Sequence, residues 1–302
     1  MEQDNFLIRE IRNAFSPTGK MISRIIIINV VVFLVLRILS LAFFLSGNQY
    51  DTDETQRWLG VPSSFSQLLM KPWTIVTYAF TQYEFFHILF NMLWLYWLGM
   101  ILTEYLGNKK ILPVYMMGSW VGAALYILSY NIFPVFKSQV EFSYAIGASA
   151  GVMAIIVATA VLLPNHPIML FIWQIRLKWL AVAFVALDLL GISSDGNAGG
   201  HIAHLGGALF GYLYIASYRN GTDLSRAFNK VADSVVSIFS GRRKMKVTYT
   251  KNTSQKFSAE KKKDEQYQKR IDSILDKISQ SGYESLTIQE KEILFKASKD
   301  NN

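Results

Sequence analysis

Four polar residues stand in apolar stretches that hold few others: His87, Asn91, Ser149 and His204. A hydroxyl, two imidazoles and an amide are the parts of a serine-hydrolase site. A serine hydroxyl becomes a nucleophile when an imidazole within hydrogen-bond reach takes its proton. Imidazole, amide and backbone N–H groups can then stabilise the oxyanion that forms on attack. His87 and Asn91 are four residues apart and share a helix face. Ser149 lies in GASAG, with Gly147 and Gly151 four apart, and His204 lies in AHLGGALFG, with Gly207 and Gly211 four apart. Small residues at that spacing let membrane helices approach closely. If the two glycine faces pack on each other, Ser149 and His204 come within reach. His87, Asn91 and the Ser149 backbone N–H are then the expected oxyanion donors.

The elements that must position these groups are transmembrane helices. The chain has 302 residues, 51% hydrophobic and 17% charged, with the charges sparse from about Met21 to Tyr218 and dense from Arg219 onward. Mean hydropathy is +0.24. That asymmetry predicts a membrane domain and a polar tail. A helix needs about 20 apolar residues to cross the hydrocarbon core. Six segments qualify or nearly so: Ile22–Leu45, Phe86–Tyr105, Ile111–Phe133, Ala148–Leu163, Trp179–Ile192 and Ile202–Tyr218. None alternates with period two, so helices rather than a barrel are expected. The fourth and fifth are short and need neighbours to cover their ends. The expected fold is thus an all-α membrane protein, a bundle of six transmembrane helices with a cytoplasmic polar tail.

Lys and Arg set the orientation. Arg9, Arg12, Lys20 and Arg24 flank the first span, Lys109 and Lys110 follow the second, and Arg176 and Lys178 precede the fifth. Arg219, Arg226, Arg242, Arg243 and Lys244 follow the sixth, whereas the opposite side offers Arg57, Lys71 and Lys137. The positive-inside rule places both termini in the cytoplasm. The first loop, about Ser46 to Phe85, then lies outside, and its apolar, aromatic stretch is expected at the membrane interface. In this topology all four polar residues fall near the outer face, where water can reach them. The N-terminus is too long and too acidic for the basic head of a signal peptide, so the first span is expected to be retained.

HILFNMLWLYWLG, GASAG and AHLGGALFG, in this order, resemble the rhomboid intramembrane serine proteases over about Met21 to Tyr218. The resemblance implies Ser149 as nucleophile and His204 as general base. It implies His87 and Asn91 as oxyanion residues, and Gly147 as the glycine two before the serine. It also implies a six-helix core with the serine at the end of a short, recessed fourth helix. Departures are Thr74 after Trp73, where the family often has arginine, Ala150 after the serine, and Glu104 five residues after Gly99. The missing arginine's structural contribution must come from elsewhere or be absent.

The expected function is a serine endopeptidase that cleaves transmembrane segments of single-pass membrane proteins near the outer face. The expected setting is a bacterial cytoplasmic membrane. The rival is a catalytically silent rhomboid-like substrate-binding protein, which loss of the serine or histidine would signal. A channel would spread polar groups through the full bilayer depth. No cofactor and no metal site is expected: there are no cysteines and no His-Glu-x-x-His. The net charge of +8 reads as topology and contact with anionic lipid, not nucleic-acid binding. His201 is read as a loop-end residue, and Arg37 and Asp188 as snorkelling to the interface. Expected boundaries are a cytoplasmic segment 1–20, a membrane domain 21–218, a basic linker 219–262 and a helical tail 263–302. The linker is expected to hold an interfacial helix over Leu224–Phe239. In the tail, Thr287 and Glu290 predict a capping box, and the hairpin serves as a docking element or a solvated extension.

Overall fold

The computed structural model describes residues 6–16, 18–47, 52–170, 172–194, 196–240 and 267–300. They belong to two compact units, Met1–Phe239 and Ser240–Asn302.

Each of the six apolar segments is a helix whose ends fall within a few residues of expectation. These are α2 (Met21–Leu45), α6 (Phe85–Leu106), α7 (Ile111–Ile132), α8 (Ser149–Leu162), α9 (Leu177–Gly191) and α10 (Ala198–Arg219). A short helix α1 (Phe6–Phe15) precedes them, and α11 (Ser225–Ser240) follows where an interfacial helix was expected. Met21–Leu45, Phe85–Leu106 and Asn108–Ile132 are long and apolar enough to cross a membrane. On α2, Ile22, Ile25, Asn29, Phe33 and Leu36 form one buried face, while Val31, Leu34, Leu41 and Phe44 are exposed. An apolar helix with an apolar exposed face is suited to lipid.

The core is built around α8, whose residues Ala150 to Ala160 are all buried. A helix buried on every side needs small residues where its neighbours' backbones approach. Glycines of α10 supply them. A β-carbon on Gly211 would fall 2.4 Å from the Ala154 carbonyl oxygen, and one on Gly206 would fall 2.6 Å from the Gly122 α-carbon of α7. The expected glycine pairing is only half right. Gly207 and Gly211 do face α8, but against Ala150, Ala154 and Ala158; Gly151 faces Tyr115 and Ser119 of α7 instead. The Ala150 and Ala154 carbonyls meet the α10 glycines, while the methyl groups of the same two alanines face Gly122 and Gly118 of α7, beside Gly151.

The loop between α2 and α6 has its own secondary structure. It folds into α3 (Thr52–Leu59), β1 (Val61–Pro62), α4 (Phe65–Met70) and α5 (Thr74–Thr77). β1 pairs antiparallel with β2 (Tyr144–Ala145), with Val61 opposite Ala145 and Pro62 opposite Tyr144. Ser63 Oγ donates to the Val140 carbonyl (2.7 Å), and Tyr144 OH donates to Gln67 Oε1 (2.6 Å). The loop therefore braces the chain that leads into α8. Where arginine was missing, other groups hold the loop together. Lys71 Nζ donates to the Arg57 carbonyl (3.0 Å), and Trp73 Nε1 to that of Trp58 (2.9 Å). Thr74 is buried, with its hydroxyl on the Lys71 carbonyl at 2.7 Å. Leu69, Met70 and Trp73 of this loop are exposed.

Between α8 and α9 the chain makes a hairpin of β3 (Pro167–Leu170) and β4 (Trp173–Arg176), with Pro167 opposite Arg176. In the second unit, residues 267–281 form α12, and α13 spans Ile288–Asp300. The capping box is present. Thr287 N–H donates to Glu290 Oε2 (2.8 Å), and Glu290 N–H donates to Thr287 Oγ1 (3.4 Å). Lys277 of α12 pairs with Glu290 at 2.9 Å. The basic run with Arg242, Arg243 and Lys244, and the rest of the linker to residue 262, lie outside the described residues.

Candidate active site

Ser149 is the first residue of α8. The first N–H groups of a helix have no intrahelical acceptor, and they carry the positive end of its dipole. The approach to Ser149 is fixed from behind. Gly147 N–H donates to the Tyr78 carbonyl at 2.9 Å, and Gly147 has φ +133°. Only glycine adopts that backbone readily. A β-carbon there would also lie 3.3 Å from Ser149 Oγ and 3.6 Å from His87 Cε1. Gly147 thus gives the turn its shape and leaves space beside the Ser149 hydroxyl and the His87 imidazole.

His87 is in the first turn of α6 and His204 in the second turn of α10. Asn197 caps α10, its side chain accepting from Gly200 N–H at 3.2 Å. Ser149, His204, His87 and Gly147 all line one cavity of about 480 Å³, with Tyr126, Tyr144 and Gln82 among the other walls. The six-helix packing therefore brings together four of the five residues singled out in the sequence.

Asn91 is the exception. It is buried on the same face of α6 as His87, but it does not line the cavity. Its Nδ2 donates to Gln82 Oε1 at 2.7 Å, and Gln82 Nε2 donates to Asn29 Oδ1 at 3.0 Å. Gln82 itself lines the cavity. Nothing in its loop context sets Gln82 apart in the sequence.

Two further residues were misread from the sequence. Asp188 is 6% exposed and does not snorkel. Its Oδ1 lies 2.8 Å from His204 Nδ1 and 2.8 Å from His201 Nδ1. His201 is not at a loop end; it sits in the first turn of α10 with its ring against Gly191 of α9. The signal was available. A single acid in an apolar helix has a partner by default, and His201 and His204 are three apart on one helix face. Arg37 does not simply reach for the interface either: its guanidinium donates to the Tyr83 carbonyl and lies over the Phe33 ring at 5.4 Å.

Asp188, His201 and His204 offer three ligating atoms within 4.8 Å of one another. Zinc takes such donors, but its tetrahedral ligands stand about 3.3 Å apart when bound at 2.0–2.1 Å. Both Nδ1 atoms at 2.8 Å from one oxygen fit hydrogen bonds better than a coordination shell.

Several curated proteins are similar to this chain. Over 211 residues the chain is 29% identical to Presenilin-associated rhomboid-like protein A, mitochondrial, of Danio rerio, covering 67% of this chain and 49% of that protein. It is 30% identical over 158 residues to Rhomboid protease GlpG of Yersinia pseudotuberculosis, covering 52% and 51%. It is 30% identical over 143 residues to Rhomboid protein 1, mitochondrial, of Saccharomyces cerevisiae, covering 47% and 40%. The chain thus spans about half the length of these curated relatives. Two are mitochondrial by name and one is from a bacterium, so the matches do not single out a bacterial membrane. Residues 251–300 match a family of unknown function, DUF6576. The Rhomboid domain model matches residues 70–220, half of the sequence and all of the cavity-lining candidates above, and the chain belongs to the rhomboid family.

Proposed function

We propose that this protein is an intramembrane serine endopeptidase in which Ser149 is the nucleophile and His204 the general base. The observation that carries this reading is the shared cavity that Ser149 and His204 line, with Ser149 at a helix N-terminus. His204 takes the Ser149 Oγ proton as Oγ attacks the scissile carbonyl, then returns it to the leaving amine. The Ser149 N–H and the His87 imidazole stabilise the oxyanion. Asn91 joins them once Gln82 releases its amide.

The substrates are transmembrane segments of single-pass membrane proteins, taken from the surrounding lipid. All six apolar segments, the two short ones included, are bilayer-embedded in this reading, with both termini cytoplasmic. It treats 21–218 as the protease domain, 219–262 as a basic linker and 263–302 as an accessory helical tail. With 14 residues, α8 rises about 21 Å, short of the roughly 30 Å hydrocarbon core. An α8 anchored at its inner end leaves Ser149 recessed below the outer surface. That depth suits a substrate segment unwinding from its outer end.

An activity-based fluorophosphonate tests the nucleophile. In detergent-solubilised protein the adduct should map to Ser149 by mass spectrometry and should be lost in Ser149→Ala and His204→Ala. An adduct on another serine would refute the assignment.

A further inference from the structure

We propose that Asp188 is the positioning residue for His204, so that the site works as a Ser149–His204–Asp188 relay held from behind by His201. The inference rests on the assignment of His204 as base. It adds a carboxylate that the four-residue polar pattern of the sequence did not contain.

The geometry is specific. Asp188 Oδ1 is 2.8 Å from His204 Nδ1. A carboxylate oxygen can only accept, so Nδ1 carries the proton and Nε2 is left as the ring's acceptor. That is the tautomer a base facing serine needs. The carboxylate also stands where positive charge appears when His204 takes the Ser149 proton. Asp188 is buried, and its Oδ2 has no hydrogen-bond partner among the described residues. Its hydrogen bonding is thus concentrated on the two imidazoles. Charge interactions there are weakly screened.

His201 makes the other half of the clamp. Its Nδ1 is 2.8 Å from the same Asp188 Oδ1. Its ring is fixed against α9, since a β-carbon on Gly191 would fall 2.5 Å from His201 Nε2. Asp188 and Gly191 are three apart on α9, as His201 and His204 are on α10. Two matching helix faces therefore lock the carboxylate, and His201 does not line the cavity. Its imidazole serves the carboxylate rather than the substrate.

The alternative is a purely structural pin between α9 and α10, and the two separate experimentally. The full-length protein in detergent, with a single-pass model substrate, is compared with Asp188→Asn, His201→Ala and Ser149→Ala. Asp188→Asn should lower kcat by on the order of a hundredfold or more, with KM within about twofold. A structural pin would lower the melting temperature and leave kcat of the folded fraction within about threefold; that outcome overturns the proposal. Imidazole proton NMR supplies a readout independent of turnover. Ser149→Ala protein should show two downfield Nδ1–H resonances, one lost in His204→Ala and the other in His201→Ala. Absence of the His204 resonance also overturns the proposal, even if Asp188→Asn fails to fold. Wild-type protein that never cleaves, while both resonances are present, would count against the protease reading and not against the hydrogen-bonded relay.

Discussion

Gly207 of α10 lies so close to Ala150 of α8 that a β-carbon on it would fall 2.0 Å from the Ala150 carbonyl oxygen. This contact, backbone against backbone, sets the separation of the helices that carry Ser149 and His204. Neither side has a flexible side chain to yield. Gly207→Ala should destabilise the protein by about 3 kcal/mol or more, read as a lowered melting temperature in detergent. A change below about 0.5 kcal/mol would show that α8 and α10 are not packed at this distance.

Gly147 carries a different constraint. At φ +133° an alanine is strained by roughly 1–3 kcal/mol, and its methyl would stand 3.3 Å from Ser149 Oγ. Gly147→Ala should therefore lower kcat at least tenfold while the protein stays folded, as steady-state cleavage kinetics would reveal. Wild-type turnover in this variant would mean that the bend before Ser149 has no part in the chemistry.

Asp223 ties the start of α11 to the start of α7. Burial alone would raise its carboxyl, but the Lys110 ammonium and the hydroxyl and N–H of Ser225 hold it below the usual carboxylate range. Oδ1 accepts from Ser225 N–H at 3.0 Å and from Ser225 Oγ at 2.5 Å, and Oδ2 pairs with Lys110. Asp223→Ala should weaken the attachment of α11 by roughly 1–3 kcal/mol. Hydrogen exchange should quicken throughout 225–240, with cleavage within about threefold of wild type, because nothing catalytic touches this helix.

The tail offers a pH test. The Thr287 N–H, with the Lys277 ammonium and the Thr287 hydroxyl, holds Glu290 down to about 2 from an ordinary value of 4.5. A carboxyl depressed in the folded state contributes stability above its unfolded value and loses it as pH falls through the folded one. Exchange protection of α13 should thus be full above about pH 5 and fall between about pH 4.5 and pH 2. In Glu290→Gln the step should vanish. The Lys277 share should weaken with added salt.

Much of this was legible in the sequence, because its signals were strong and local. Long apolar runs gave α2, α6 and α7, the glycine spacings marked α8 and α10 as close neighbours, and Thr287 with Glu290 marked the start of α13. What stayed hidden depended on which way a side chain faces within the bundle. Asp188 was read as snorkelling because depth along a span is visible in a sequence and rotation about its axis is not. The same ambiguity sent Gly151 to the wrong neighbour, whereas His201 was read as a loop-end residue because the sixth span was taken to start at Ile202 and α10 starts at Ala198. Asn91 shares a face with His87, yet one turn of helix puts it behind Gln82. The order within the first loop arises from pairing between β1 and β2, about eighty residues apart, which no local pattern announces.

The central claim is that Ser149 cleaves peptide bonds of membrane-embedded substrates. The direct measurement is cleavage of a single-pass model substrate co-reconstituted in liposomes with wild-type protein or Ser149→Ala. The account predicts a wild-type product cut within or at the edge of the substrate's transmembrane segment. It predicts none from Ser149→Ala, at equal folding and incorporation. Equal product from both proteins, or none from wild-type protein against a panel of such substrates, would contradict it.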